Sequence, residues 1–306
     1  MTSRLLVVIS VLGLASPSRA DDALPGHRVD GTTDAVISGA ALAATLAVSL
    51  IPIREDAPLW ERQMVASDLG VTRSFSRRAS HVSDALLVAS LAAPAIYLTG
   101  GEVDDADGDQ LLLYGQTIAI NGLLAQAAKH LVQRPRPYLY NDSAAARAYG
   151  REHRADSRKS FYSGHAALSF GAAVSGAYLL GAADEHPTAR RIAWGAGIAV
   201  ATTTAGLRVR AGKHFYSDVV VGALIGSAVG YLVPALHAED APYAPDGAEL
   251  AAASLGIAAG LVLARVLPVE GSASRTDARG PLARRRYQLT PTATEHGVGV
   301  AIAGVL

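Results

Sequence analysis

Seven stretches without a charged residue recur along the chain, at roughly 35–53, 85–101, 110–128, 166–183, 192–207, 219–236 and 250–264, with charged loops between them. Each is rich in Ala, Leu, Val and Gly, and none carries the polar stripe that a helix lying on a water-facing surface needs. Their lengths suit a bilayer core. Small residues recur within them (Gly171, Gly176, Gly222, Gly226, Gly230), which lets helices approach closely in lipid. The pattern predicts six to seven core helices in a membrane-embedded bundle. The alternative is an all-α bundle in water whose helices cover one another. The stretch 54–84, with Trp60, Arg62, Arg77, Arg78 and Asp84, reads as short amphipathic helices beside the bundle, and 237–249 as a loop. Residues 268–286 are rich in Pro, Gly, Ser and Arg and read as a linker. The tail 287–306 alternates in places around Glu295-His296-Gly297 and predicts a small β-hairpin.

Composition agrees with an apolar protein. Half of the residues are hydrophobic and 18% are charged. The 27 basic and 27 acidic residues cancel, which argues against a nucleic-acid partner. With no cysteine there is no thiolate nucleophile, disulfide or thiolate metal site. Residues 1–20 have the build of an export signal: Arg4, an apolar run, then Ser18 and Ala20 before Asp21-Asp22. The signal and the helix count pull in different directions. If residue 21 is outside and every run spans, the loops 54–84, 129–165 and 208–218 share the cytoplasmic side. Their Lys and Arg content suits that side, whereas an exported protein is expected to present a site built from them to the periplasm.

Those three loops hold the candidate chemistry. In Arg-Val-Arg-Ala-Gly-Lys-His-Phe-Tyr-Ser-Asp (208–218), Asp218 follows His214 by one helical turn, where a carboxylate reaches an imidazole. Such a bond fixes the tautomer and frees the other ring nitrogen. Arg208 supplies a planar cation suited to an oxyanion. Lys129 to Pro137 places Lys129 and Arg136 where a helix pattern ends at Pro135 and Pro137. In Ser160 to His165, Ser163 is placed to cap the helix that follows. Gly164 lets the backbone approach a ligand, and the exposed amides form an anion cradle beside His165. Each stretch alone has an ordinary structural explanation: a solvated ion pair, a cation at a helix C-terminus, a Ser-Gly cap. Together they offer three fixed cations, backbone donors and two imidazoles, a set that fits phosphate. These loops contain no carboxylate-rich cage for a divalent metal, and no cofactor is expected.

In order and spacing, Lys-x6-Arg-Pro (Lys129, Arg136, Pro137), Ser-Gly-His (163–165) and Arg-x5-His-x3-Asp (Arg208, His214, Asp218) resemble the three-part signature of the type-2 phosphatidic acid phosphatase and vanadium-dependent haloperoxidase superfamily. The resemblance implies an α-helical bundle over 21–267 with its motif core at 111–236. It implies His214 as nucleophile through a phosphohistidine, Asp218 as its orienting acid and His165 as the acid for the leaving group. Lys129, Arg136, Ser163, Gly164 and Arg208 would hold the phosphate. Two positions depart from the family pattern: Tyr162 stands where Pro is usual and Leu207 where Ser is usual. Arg134-Pro135 offers a competing register, but only Arg136 gives the family spacing from Lys129. The expected activity is metal-independent hydrolysis of a lipid phosphate or prenyl diphosphate in the cell envelope. The alternative is a soluble periplasmic non-specific acid phosphatase acting on small phosphomonoesters. A vanadium haloperoxidase and a non-catalytic membrane scaffold rank lower.

Overall fold

The computed structural model describes residues 26–53, 66–99, 105–183, 186–269, 287–294 and 297–304. The signal-like stretch 1–20, Trp60 and Arg62, most of the 268–286 linker, and Glu295 with His296 lie outside the described residues. The described part is an all-α bundle: α1 (Gly31–Ser49), α2 (Arg77–Leu98), α3 (Asp105–Val132), α4 (Ala144–Glu152), α5 (Gly164–Ala182), α6 (Pro187–Arg210), α7 (Tyr216–Leu236) and α8 (Gly247–Val266).

Each long helix grows from one apolar run but extends past it into polar sequence, because the capping residue lies outside the run. Asp30 accepts from the amides of Thr32 and Thr33 at the start of α1. Ser76 accepts from Ala79 at α2, and Asp246 and Glu249 form a reciprocal box at α8. The cap at Ser76 moves Arg77, Arg78 and Asp84 out of the expected surface segment and into α2. Among the described residues of that segment, a 3-10 turn, Ala66–Arg73, precedes it. The short helix α4, with Ser143 as its cap, has no counterpart among the seven apolar runs.

Helix α5 is central and buried along most of its length, with α2, α3, α6 and α7 packed around it. Helix α8 lies against α6, and α1 against α3. Glycine sets the α5–α7 contact. A Cβ on Gly226 would stand 2.2 Å from the Ala167 carbonyl oxygen, and one on Gly222 would stand 2.6 Å from that of Ser163. No side chain fits between these backbones, so α7 lies directly on α5 with their N-termini side by side.

The buried centre is rich in small and hydroxyl side chains, whereas large apolar side chains face outward, among them Leu46, Val88, Leu224, Leu255 and Leu261. Six helices are long and apolar enough to cross a membrane. Helix α6 is not among the six, and it is packed between α2, α5 and α8. Polar contacts pin α1 to the bundle. Gln116 and His237 each donate to Asp34 Oδ1 (3.0 Å), and Gln126 donates to Ser49 Oγ (2.7 Å). A separate unit, Gly271–Leu306, contains β1 (Tyr287–Thr294) and β2 (Gly297–Gly304), paired antiparallel with Tyr287 opposite Gly304.

Candidate active site

The last turns of α3 and α6, the first turns of α5 and α7, and the loop after α3 meet at one end of the bundle. His214 sits just before α7 and is almost fully buried. Its Nδ1 lies 2.7 Å from the Ser160 carbonyl oxygen. A carbonyl only accepts, so Nδ1 carries the proton and Nε2 keeps its lone pair. That lone pair faces Arg136, whose Nη1 is 3.3 Å away. Burial, then the charges of Arg136, Arg208 and Lys129, hold His214 well below the ordinary imidazole range. The ring stays neutral at physiological pH.

The direct His214–Asp218 bond expected from helical spacing is not formed: Asp218 Oδ2 is 3.8 Å from Nδ1. The carboxylate is engaged elsewhere. Ser160 Oγ donates to Oδ2 (2.6 Å), as does the Phe215 amide (2.8 Å), and Arg134 Nη1 donates to Oδ1 (2.6 Å). Asp218 therefore holds Ser160, whose carbonyl in turn holds the ring. Arg134, the arginine of the competing register, is a structural partner here. It also donates to Asp68 Oδ2 at 3.0 Å, and Asp68 in turn binds the Ser217 amide (3.1 Å).

Arg136 is locked in place by Asp156, donating through Nε to its carbonyl and through Nη2 to its carboxylate, both at 2.8 Å. Its Nη1 also donates to the Lys213 carbonyl (2.9 Å). Lys129 donates to Gln126 Oε1 (3.2 Å), and its Nζ lies 2.9 Å from where a Cβ on Gly164 would stand. Any side chain at 164 would displace that ammonium. Ser163 caps α5 through its Oγ, while its amide donates to the Asp218 carbonyl (3.1 Å). The anion cradle at this helix start thus falls to the amides of Gly164 and His165, which have no intrahelical acceptor.

His165 Nε2 lies 2.8 Å from Asp84 Oδ1, and the same oxygen accepts from Arg208 Nη1 at 3.0 Å. The carboxylate holds the imidazole by Nε2 and so fixes the orientation of the ring. Arg208 also donates to Ser83 Oγ (3.3 Å), and its Nε is buried with no partner among the described residues. An unmet guanidinium donor suits an arriving oxyanion.

Sequence reading missed Asp84, Ser160, Asp156 and Lys213. Asp84 sits at the site only because α2 starts early. Lys213 directly precedes His214. Its Nζ donates to Tyr149 Oη, lies 3.5 Å from Asp156 Oδ2, and sits 4.3 Å above the Tyr149 ring. Burial and the neighbouring Arg136 lower Lys213 to about 7. Burial alone would raise Asp156, but Arg136 and Lys213 outweigh it and bring the carboxyl to about 2. Among the described residues, no group of three or more His, Cys, Asp or Glu side chains converges as a metal site.

Residues 110–241, which contain Lys129, Arg136, His165, Arg208, His214 and Asp218, match the model of the PAP2 superfamily. No curated protein and no solved structure matches the chain significantly.

Proposed function

Because this chain belongs to the PAP2 superfamily, we propose that it is a metal-independent phosphohydrolase of the cell envelope, acting on a lipid phosphate or prenyl diphosphate through a phosphohistidine. The observation that carries the reading is the hydrogen bond from His214 Nδ1 to the Ser160 carbonyl, which leaves Nε2 unprotonated with its lone pair turned to a fixed guanidinium.

In this reading, Nε2 attacks phosphorus in line and the P–O bond to the leaving group breaks. The departing alkoxide takes a proton from Nδ1 of His165 in its imidazolium form, whose Nε2 is held by Asp84. Arg208, Arg136 and Lys129, with the amides of Gly164 and His165, offset charge on the three equatorial oxygens. His165, now neutral, accepts a proton from water. The resulting hydroxide opens the P–N bond, and His214 leaves as the neutral ring that the Ser160 carbonyl orients. A lipid substrate is favoured because the site lies at the ends of helices apolar enough to cross a bilayer.

The purified protein, with chelator present, is expected to release phosphate from phosphatidate. His214→Ala should abolish release and also the acid-labile, base-stable phosphoenzyme formed on rapid quenching. Full activity in that variant would contradict the assignment.

A further inference from the structure

The two ends of the bundle carry opposite charge, and hydrogen bonds fix which end is which. At the start of α1 the Arg28 amide donates to the His237 carbonyl and the Glu239 amide to the Gly26 carbonyl, both at 2.8 Å. The chain therefore enters α1 at the end where α7 finishes, which is the end remote from His214. From there the seven long helices alternate, and all the loops that build the site fall at the other end. The remote end carries Asp30, Asp109, Glu239, Asp240 and Asp246, against Arg28, Arg190 and Arg191. The site end carries Arg73, Arg77, Arg78, Arg147, Arg151 and Arg154. None of these six belongs to the phosphate-holding set, so catalysis does not account for their presence.

Lys and Arg in short loops beside membrane spans are retained on the cytoplasmic side, while Asp and Glu have little influence. The loops 50–76, 133–163 and 211–215 are all short enough for that rule to act. Translocating the site end would carry those six guanidiniums across the bilayer, and translocating the remote end carries three. An export signal ending at Ala20 would leave the start of α1 on the outer face, which is the same orientation. We infer that the active site opens to the cytoplasm and takes its phosphorylated lipid from the cytoplasmic leaflet, contrary to the periplasmic site expected for an exported phosphatase. The inference rests on the membrane-spanning reading of the bundle.

The absence of cysteine makes the test clean. Ala145→Cys on exposed α4 reports the site end, and Asp240→Cys reports the remote end. Spheroplasts are treated with a membrane-impermeant maleimide, with and without permeabilisation. Asp240→Cys is expected to label in sealed spheroplasts, and Ala145→Cys only after permeabilisation. The reverse pattern overturns the inference. So does labelling of both or of neither in sealed spheroplasts, or recovery of the protein in the soluble fraction. Phosphate release by the same variants in detergent is scored separately. If labelling follows expectation but no phosphate is released, the hydrolase reading falls and the orientation stands.

Discussion

Two residues near the reacting centre carry separable jobs. Asp84 bridges His165 and Arg208 through one carboxylate oxygen, so in the proposed mechanism it acts on leaving-group protonation rather than on attack. Asp84→Asn should lower kcat for alkyl phosphates by about a hundredfold, while p-nitrophenyl phosphate, whose leaving group needs no proton, should change far less. Equal losses on both substrates would assign Asp84 to binding instead. Lys213 makes the second case. Its ammonium loses charge as pH rises through about 7, so KM for an anionic substrate should climb above that pH, and Lys213→Arg should flatten the climb. Stability runs the other way. Above about 7 the unfolded chain still binds the proton that the folded chain has released, so the contribution of Lys213 to folding grows with pH across that window. Urea titrations at pH 7 and 9 on wild type and Lys213→Arg would measure it. Neither residue was legible as part of the site. Asp84 lies 81 positions from the histidine it touches. Of the partners of Lys213, Tyr149 lies in α4 and Asp156 just after it, a stretch with no apolar run or motif to mark it. His214, His165, Arg208, Arg136 and Lys129 were legible because each stands in a short stretch with fixed internal spacing.

At the level of helices, the α5–α7 contact brings the Ser163–His165 stretch beside His214 and Asp218. Gly226→Ala would set a methyl group 2.2 Å from a backbone oxygen, and the backbone cannot yield without moving α7. The expected cost is on the order of 1–3 kcal/mol, read as a lower Tm in detergent. A fall in kcat should accompany it, because the N-terminus of α7 shifts against His165. Gly115→Ala, where a Cβ meets nothing within 4 Å, is the control and should leave both unchanged. The seven apolar runs were enough to place seven long helices, since charge-free Ala-rich sequence of that length has few other outcomes. Their starts were not legible, because Asp30, Ser76 and Asp246 cap from outside the runs. Helix α4 was not legible either: its nine residues mix Ala with Arg, and it is fixed by Tyr149 packing towards Lys213 rather than by an apolar run of its own.

At the scale of the whole bundle, the described residues bury many hydroxyls, amides and charges and expose many large apolar side chains, an arrangement suited to lipid. The order in which it comes apart follows from how α1 is attached. Only Asp34 and Ala41 of that helix are buried. It is fastened at its first turn by Gln116 and His237 and at its last residue by Gln126. A segment so lightly clasped detaches at a lower free energy than the core it leans on. In deuterium exchange, amides of 31–49 should therefore open well before those of α5. Asp34→Ala, by undoing one clasp, should hasten that opening while leaving the exchange of α5 and α7, and with it the catalytic end, as slow as before.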